Sequence, residues 1–343
     1  MIEIIAEIGK NFVVTEKEEP LKILLSRTRN LIQQAKEIGF NTVKFQVHNV
    51  EDEIHPNSDI TSPHFNQDRI SWVKRNTYPI EFWWDIKEYC RNLDIEFLAT
   101  PMSRGAAILL NEEIGIDRWK IGSGDILDFV MLDYIRDSNK PIILSSGMST
   151  LEELKKSYEY LKKKNENITI LHCVSQYPCS LSALNLKTIP FLQKIFPEAK
   201  IGFSDHSLGI EGSLMAIKLG ATLIEKHFTL DKNAWGPDHK ASLLPNEMKE
   251  LVKRIENNDF LEPTSETLGI ETKYLQNEEA VFRPVFRKGL YAARELIKGE
   301  MYESDMMYAL RPQSVGGSPS EKYPEFLGKF VGSDYKKYDA IKL

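Results

Sequence analysis

The chain alternates between two apolar rhythms. Short runs rich in β-branched and aromatic residues, at 2–8, 42–47, 95–100, 118–123, 141–146, 168–174, 200–205 and 222–228, read as strands. Between them, apolar positions recur every three or four residues at 20–38, 80–92, 103–114, 151–164, 185–196, 210–219 and 246–257, and less clearly at 125–138. These segments read as helices. Eight strands, each followed by a helix, within about 250 residues predict an α/β fold, the (β/α)8 TIM barrel. A doubly wound open sheet is the alternative, but it would usually carry a GxGxxG turn after its first strand. Here Gly9-Lys10-Asn11-Phe12 offers a single glycine.

Two connections exceed an ordinary βα turn, Lys10 to Glu19 and His48 to Pro79. Both leave strand ends on the same barrel face, where long loops serve as lids or binding loops. The helical pattern stops near Asn257-Asn258, so the barrel is expected to occupy 1–258. Residues 259–280 read as a linker. From Val281 onward, short β-like runs punctuated by turns predict a small β-rich domain over 281–343. A unit of roughly 60 residues has a marginal core, so it must lean on the barrel or on another chain.

Composition narrows the function classes. With 343 residues, 42% apolar and 27% charged, the chain is expected to fold, and a net charge of −6 argues against nucleic acid or an anionic membrane as its partner. No apolar run approaches the ~20 residues of a membrane span. The opening residues carry no basic segment or cleavage site of a secretory signal, so a cytoplasmic location is expected. Cys90, Cys173 and Cys179 are read as buried thiols rather than a disulfide framework or a metal site.

The reactive groups of a barrel sit at the C-terminal ends of its strands. Those ends offer Glu7, then Lys44 and Gln46, Thr100, Lys120 with Ser123-Gly124-Asp125, and Ser145-Ser146-Gly147. The later strands offer His172, Ser175 and Tyr177, then Ser204-Asp205-His206 and Glu225-Lys226-His227, with Asp238-His239 following. Charges beside buried positions are costly unless paired, metal-bound or functional. A lone strand-end lysine could snorkel to the rim. Lys44 and Lys120 together with Ser123, Ser145 and Ser204 instead predict an anion cradle suited to a phosphate.

His206 and His227 come from neighbouring strands, each beside an acid, Asp205 or Glu225, that could orient a ring. They are expected to hold a divalent metal as a Lewis acid. Without a thiolate or a third histidine, a closed zinc site is disfavoured, and manganese, magnesium or another ion that keeps several waters is expected. Glu7 is the leading general base, and an ion pair with one of the lysines is its rival role.

These residues lie in runs that resemble the sialic acid synthase family. The runs are Ala6-Glu7-Ile8-Gly9, Lys44-Phe45-Gln46, Thr100-Pro101, Lys120-Ile121-Gly122-Ser123-Gly124 and Pro141 through Met148. They continue with Leu171-His172-Cys173, Tyr177-Pro178, Ser204-Asp205-His206, Glu225 through Thr229, and Gly236-Pro237-Asp238-His239, in order along nearly the whole chain. The terminal domain, with Lys298-Gly299-Glu300 and Leu310-Arg311-Pro312, is similar to the antifreeze-like (SAF, β-clip) domain of that family.

The resemblance implies a synthase that condenses phosphoenolpyruvate with an N-acetylmannosamine-type sugar, using manganese, or magnesium or cobalt in its place. It implies phosphoenolpyruvate on Lys44, Thr100, Lys120, Ser123, Ser145 and Ser204, metal on His206 and His227, and acid–base work at Glu7. Gln46, Tyr177, Glu225 and Asp238 would face the sugar or the metal's waters. It also implies a domain-swapped homodimer, in which an extended linker carries the small domain to the partner's barrel and Arg311 reaches the sugar there. One departure stands out: Phe12 occupies the place of the family's histidine, in a longer loop. That leaves the acceptor open between N-acetylmannosamine and a 6-deoxy-diacetamido sugar of the legionaminic or pseudaminic type. Two other classes are weighed. An attached SAF domain speaks against a different phosphoenolpyruvate-dependent sugar-acid synthase, and the intact strand-end residues speak against a non-catalytic binding protein.

Overall fold

The computed structural model describes residues 2–62 and 65–342. Eight strands form its centre: β1 Glu3–Gly9, β2 Thr42–Val47, β3 Glu96–Pro101, β4 Trp119–Ile121, β5 Ile142–Ser145, β6 Ile168–Cys173, β7 Lys200–Asp205 and β8 Leu223–His227. They run in the order β3-β2-β1-β8-β7-β6-β5-β4, with every hydrogen-bonded pair parallel. The end strands β3 and β4 lie against each other, so the sheet curls into a (β/α)8 barrel. Strands read from the sequence agree with these apart from an end residue or two. The stretch 103–114 is helical but divided, with an α-helix at Arg104–Ile108 running into a π-helix at Leu109–Ile114.

Side chains alternate across a strand, so one file of each barrel strand points inward. Low in the barrel this file is apolar, with Ile5, Leu98, Ile143, Leu171 and Leu223 packed into a plug. Two residues further along the same files stand Glu7, Thr100, Ser145, Cys173 and Glu225. The plug closes the barrel from below, and the polar layer above it is the floor of the site. Gly202 belongs to this tight layer, since a Cβ there would come within 2.6 Å of the Leu223 carbonyl oxygen.

The long connection after β2 folds as a substructure: a short helix Val50–Glu53, a two-stranded hairpin, and a helix Arg69–Asn76. Asp68 starts that last helix by accepting hydrogen bonds from the Ile70 and Ser71 amides.

Residues 259–280 do not form an extended linker. They make a strap packed along the barrel wall, where Leu186 N–H donates to Thr267 O (2.9 Å) and Lys273 Nζ to Ser149 O (2.8 Å). The Glu279 carboxylate, buried in the strap, accepts from the backbone amides of Met148 (2.8 Å) and Ser175 (2.9 Å). A carboxylate holding two buried amides is a strong anchor.

After a short helix Arg283–Phe286, the small domain is built around an antiparallel pair, β9 Gly289–Ala292 and β10 Met307–Leu310. It docks on the barrel of its own chain. Lys288 Nζ reaches Asp125 (2.9 Å) and Asp128 (2.7 Å), while Arg311 N–H donates to Glu53 O and His55 N–H to Arg311 O. Among the described residues, no helix is long and apolar enough to cross a membrane.

Candidate active site

A cavity of about 180 Å³ opens above the apolar plug. Glu7, Lys44, Gln46, Thr100, Lys120, Ser123, Ser145, Tyr177, Ser204, His206, Glu225, His227 and Asp238 all line it. Register explains much of this convergence, because Glu7 is paired with Lys44 on one side and with His227 on the other, and Glu225 with Ser204.

Lys44 Nζ lies 2.7 Å from Glu7 Oε2, 3.7 Å from Glu225 Oε2 and 3.2 Å from the Thr100 hydroxyl. Lys120 Nζ lies 2.7 Å from the Ser145 hydroxyl and 3.7 Å from Glu225 Oε2. Ser204 donates to Glu225 Oε1 at 3.0 Å, and Gln46 Nε2 to Glu7 Oε1 at 3.0 Å. The ion pair that rivalled a catalytic role for Glu7 is thus present. It does not exclude that role.

Burial raises the Glu7 carboxyl above its ordinary range despite Lys44 beside it, with Glu225 adding to the rise. Burial would also raise Glu225, but Lys120 and Lys44 together outweigh it and hold that carboxyl low. Lys44 has two carboxylates, and they hold its ammonium charged against burial. Lys120 is less well compensated: burial lowers it, Glu225 opposes only in part, and Lys44 repels it. A buried cation short of negative charge, ringed by hydroxyls, is built to receive an anion.

The two histidines sit with ring centres 5.4 Å apart. The His206 Nδ1–H donates to the Val174 carbonyl (2.8 Å), which turns its Nε2 lone pair away from the backbone. His227 is buried and its Nδ1 has no hydrogen-bond partner. Burial, with His206 and Lys44 beside it, holds His227 well below the usual imidazole range, so it is neutral with a lone pair to give. Burial works against a charge on His206, but Cys173 and the Val174 carbonyl outweigh it and hold that imidazole above its usual range, so a hydrated divalent ion would have to displace the His206 proton to use both rings as donors. Among the described residues no group of three His, Cys, Asp or Glu forms a fuller cage. The Tyr177 ring lies tilted against His206 with ring centres 4.0 Å apart, and Asp238 stands 4.0 Å from His227 Nδ1, its carboxyl raised to about 6 by burial and Glu7. All three cysteines are free and buried, and Cys173 lines the cavity.

Arg311 is not brought into the cavity. It is 1% exposed behind the rim, where it pairs with Glu53 (2.9 Å) and with Asp125. Its fork is filled by two carboxylates of its own chain and does not point into this chain's cavity. Phe12 also points elsewhere, into an aromatic cluster with Tyr78 (5.6 Å) and Phe82 (5.7 Å). The rim instead uses Arg69, Trp72, Asp125, Met148, Phe282 and Phe286. Arg69 and Trp72 lie in the loop already marked by its length, and Asp125 in a strand-end run, but nothing in the pattern pointed to Phe286.

Residues 31–262 match the NeuB family model. The chain is 34% identical over 326 residues to the N,N'-diacetyllegionaminic acid synthase of Campylobacter jejuni, covering 93% of this chain and 95% of that one. It is 32% identical to the human N-acetylneuraminate-9-phosphate synthase, covering 98% and 90%. Among solved structures, the spore coat polysaccharide biosynthesis protein SpsE of Bacillus subtilis superposes with a TM-score of 0.79 at 30% identity, over 99% of this chain and 94% of that one.

Proposed function

The chain belongs to the NeuB family, and on that premise we propose that it condenses phosphoenolpyruvate with an acetamido sugar to a nonulosonic acid, releasing phosphate by C–O cleavage. The observation that carries this reading is one cavity in which two buried lysines and several hydroxyls adjoin a paired imidazole site and a buried acid.

Lys120 and Lys44, with Thr100, Ser123, Ser145 and Ser204, hold the phosphate and carboxylate of phosphoenolpyruvate. His206 and His227 would hold a divalent ion, manganese foremost, with magnesium or cobalt able to replace it. Such an ion supplies Lewis acidity to the sugar's aldehyde oxygen when bound. C3 of phosphoenolpyruvate attacks the aldehyde carbon, whose oxygen takes up a proton to become a hydroxyl, and water then adds at the electrophilic C2 left behind. Glu7, whose carboxyl is raised by burial, takes the proton of that water. Phosphate leaves with the bridging oxygen, and Lys120 and Lys44 stabilise the charge it gathers. Gln46, Tyr177, Glu225 and Asp238 orient the sugar.

Release of inorganic phosphate is the test. It should require both phosphoenolpyruvate and an acetamido sugar, and phosphate formed from phosphoenolpyruvate alone would refute the reading. We also propose a homodimer. Mixing Arg311→Ala with Lys120→Ala chains tells whether the small domain serves its own barrel, as docked here, or a neighbour's, since only the second arrangement restores activity.

A further inference from the structure

We propose that Glu279, on the strap, is a positioning residue for the loops that wall the anion cradle, so that affinity for phosphoenolpyruvate is set in part from outside the barrel. This rests on the synthase reading above and deepens it at the same site.

Glu279 is 1% exposed and is not part of the cavity wall. Its Oε1 accepts from the Met148 amide (2.8 Å), in the loop after β5, and from the Ser175 amide (2.9 Å), in the loop after β6. Met148 is held at both ends, because Arg287 Nη2 donates to its carbonyl at 2.8 Å. Lys273 Nζ donates to the following carbonyl, that of Ser149, at 2.8 Å. Three side chains from the strap and its exit thus grip one loop by its backbone.

That loop has a shape worth holding. Met148 has φ +52°, in the left-handed region that a residue with a Cβ seldom adopts unless its surroundings impose it. Immediately before it, the Gly147 amide donates to the Ser123 hydroxyl at 3.1 Å. Gly147 is wedged between the loops, since a Cβ there would come within 2.7 Å of Ser123 Oγ and 3.0 Å of Cys173 Sγ. At the strand end, the Ser145 hydroxyl accepts from Lys120 Nζ at 2.7 Å. Ser123, Ser145, Met148 and Ser175 all line the cavity. Turning Met148 out of its left-handed conformation would swing Gly147, and with it the amide that fixes Ser123. Donors stabilise a developing phosphate charge only when they are already in place. A buried carboxylate accepting two amides supplies that preorganisation more strongly than a neutral group would.

The test is phosphoenolpyruvate binding by calorimetry, without sugar and with manganese present, for wild type, Glu279→Leu and Glu279→Gln. Circular dichroism and melting curves set a temperature at which the variants are folded. Glu279→Leu removes the acceptor and should weaken phosphoenolpyruvate about 10- to 100-fold, as loss of charge-assisted hydrogen bonds would. Glu279→Gln keeps a carbonyl oxygen for the same amides and should lose less than about tenfold. In steady-state phosphate release, KM for 2-acetamido-2-deoxymannose or 2,4-diacetamido-2,4,6-trideoxymannose should stay within about twofold, a change too small to report a lost interaction. Phosphoenolpyruvate binding within about twofold of wild type in folded Glu279→Leu overturns the proposal. So does an equal weakening of phosphoenolpyruvate and sugar, which a strap that merely stabilises the fold would give. Should Glu279→Leu not fold, Arg287→Met carries the same prediction, because it frees the other end of Met148. Wild type that neither binds phosphoenolpyruvate nor releases phosphate with either sugar refutes the synthase reading itself, an outcome independent of Glu279.

Discussion

On the floor of the barrel mouth, Lys44, Lys120, Glu7 and Glu225 stand on four parallel strands whose register fixes where they point. On its rim, Arg69, Asp125 and Phe286 meet because a long loop, a strand-end turn and a short helix from far along the chain dock together. The floor is a local consequence of strand alternation. The rim is a tertiary one, held by the buried charges Arg311, Lys288, Glu53 and Asp125. Reaction chemistry is therefore expected to depend on the floor, and acceptor choice and stability on the rim.

Substitutions on the floor should have the largest effect. Lys120→Ala removes the cation directed at the leaving phosphate and should lower kcat/KM about 10⁴-fold, or roughly 5 kcal/mol of transition-state binding, with little change in melting temperature. Chelation should likewise abolish activity, with manganese restoring wild type but neither His206→Ala nor His227→Ala. A Lys120→Ala enzyme that keeps its activity and loses its stability would invert the comparison.

Next comes the rim. Arg311→Ala leaves Glu53 and Asp125 buried and short of a counter-charge, which should cost about 3–5 kcal/mol of stability in denaturant unfolding. Smaller again, Glu279→Gln replaces the strap's anchoring carboxylate with a neutral amide and should cost about 2 kcal/mol. Faster hydrogen exchange at the Met148 and Ser175 amides, which it binds, would locate that loss. Unchanged exchange there would show that the strap is held by other contacts.

The smallest effect lies beside the mouth. Lys10 is buried over the rings of Phe12, Tyr78 and Trp83, and burial pushes it down to about 7 against the partial support of Glu53 and Glu7. Between that value and the ordinary lysine range the unfolded chain holds the extra proton, so stability rises with pH from about 7 toward 10. Lys10→Met should flatten that rise, by about 1 kcal/mol per pH unit. An unchanged slope would assign it to other groups.

The same division explains what the sequence made legible. The strands, and the convergence of strand residues such as Glu7, Lys44, Lys120 and Glu225 on one cavity, could be seen because a period of two and a strand end determine both position and direction. Arg311 could not be placed that way. Its sequence neighbours suggested a free fork, and only the docked structure shows two carboxylates filling it. The strap was read as a linker because its polar composition looks unstructured, although Glu279 and Lys273 use that polarity to bind barrel backbone. Phe286 gave no signal, since an aromatic residue in a short helix reads as core until the turn it covers is known.

The central claim is that the floor carries phosphoenolpyruvate through condensation with C–O cleavage, and one isotope measurement tests it most directly. Phosphoenolpyruvate labelled with ¹⁸O at the bridging oxygen is turned over with an acetamido sugar, and the released phosphate is analysed by mass. Cleavage at C–O sends the label out with phosphate, which is the predicted result. Unlabelled phosphate, with the label retained in the organic product, would mean that the P–O bond breaks and would contradict the account.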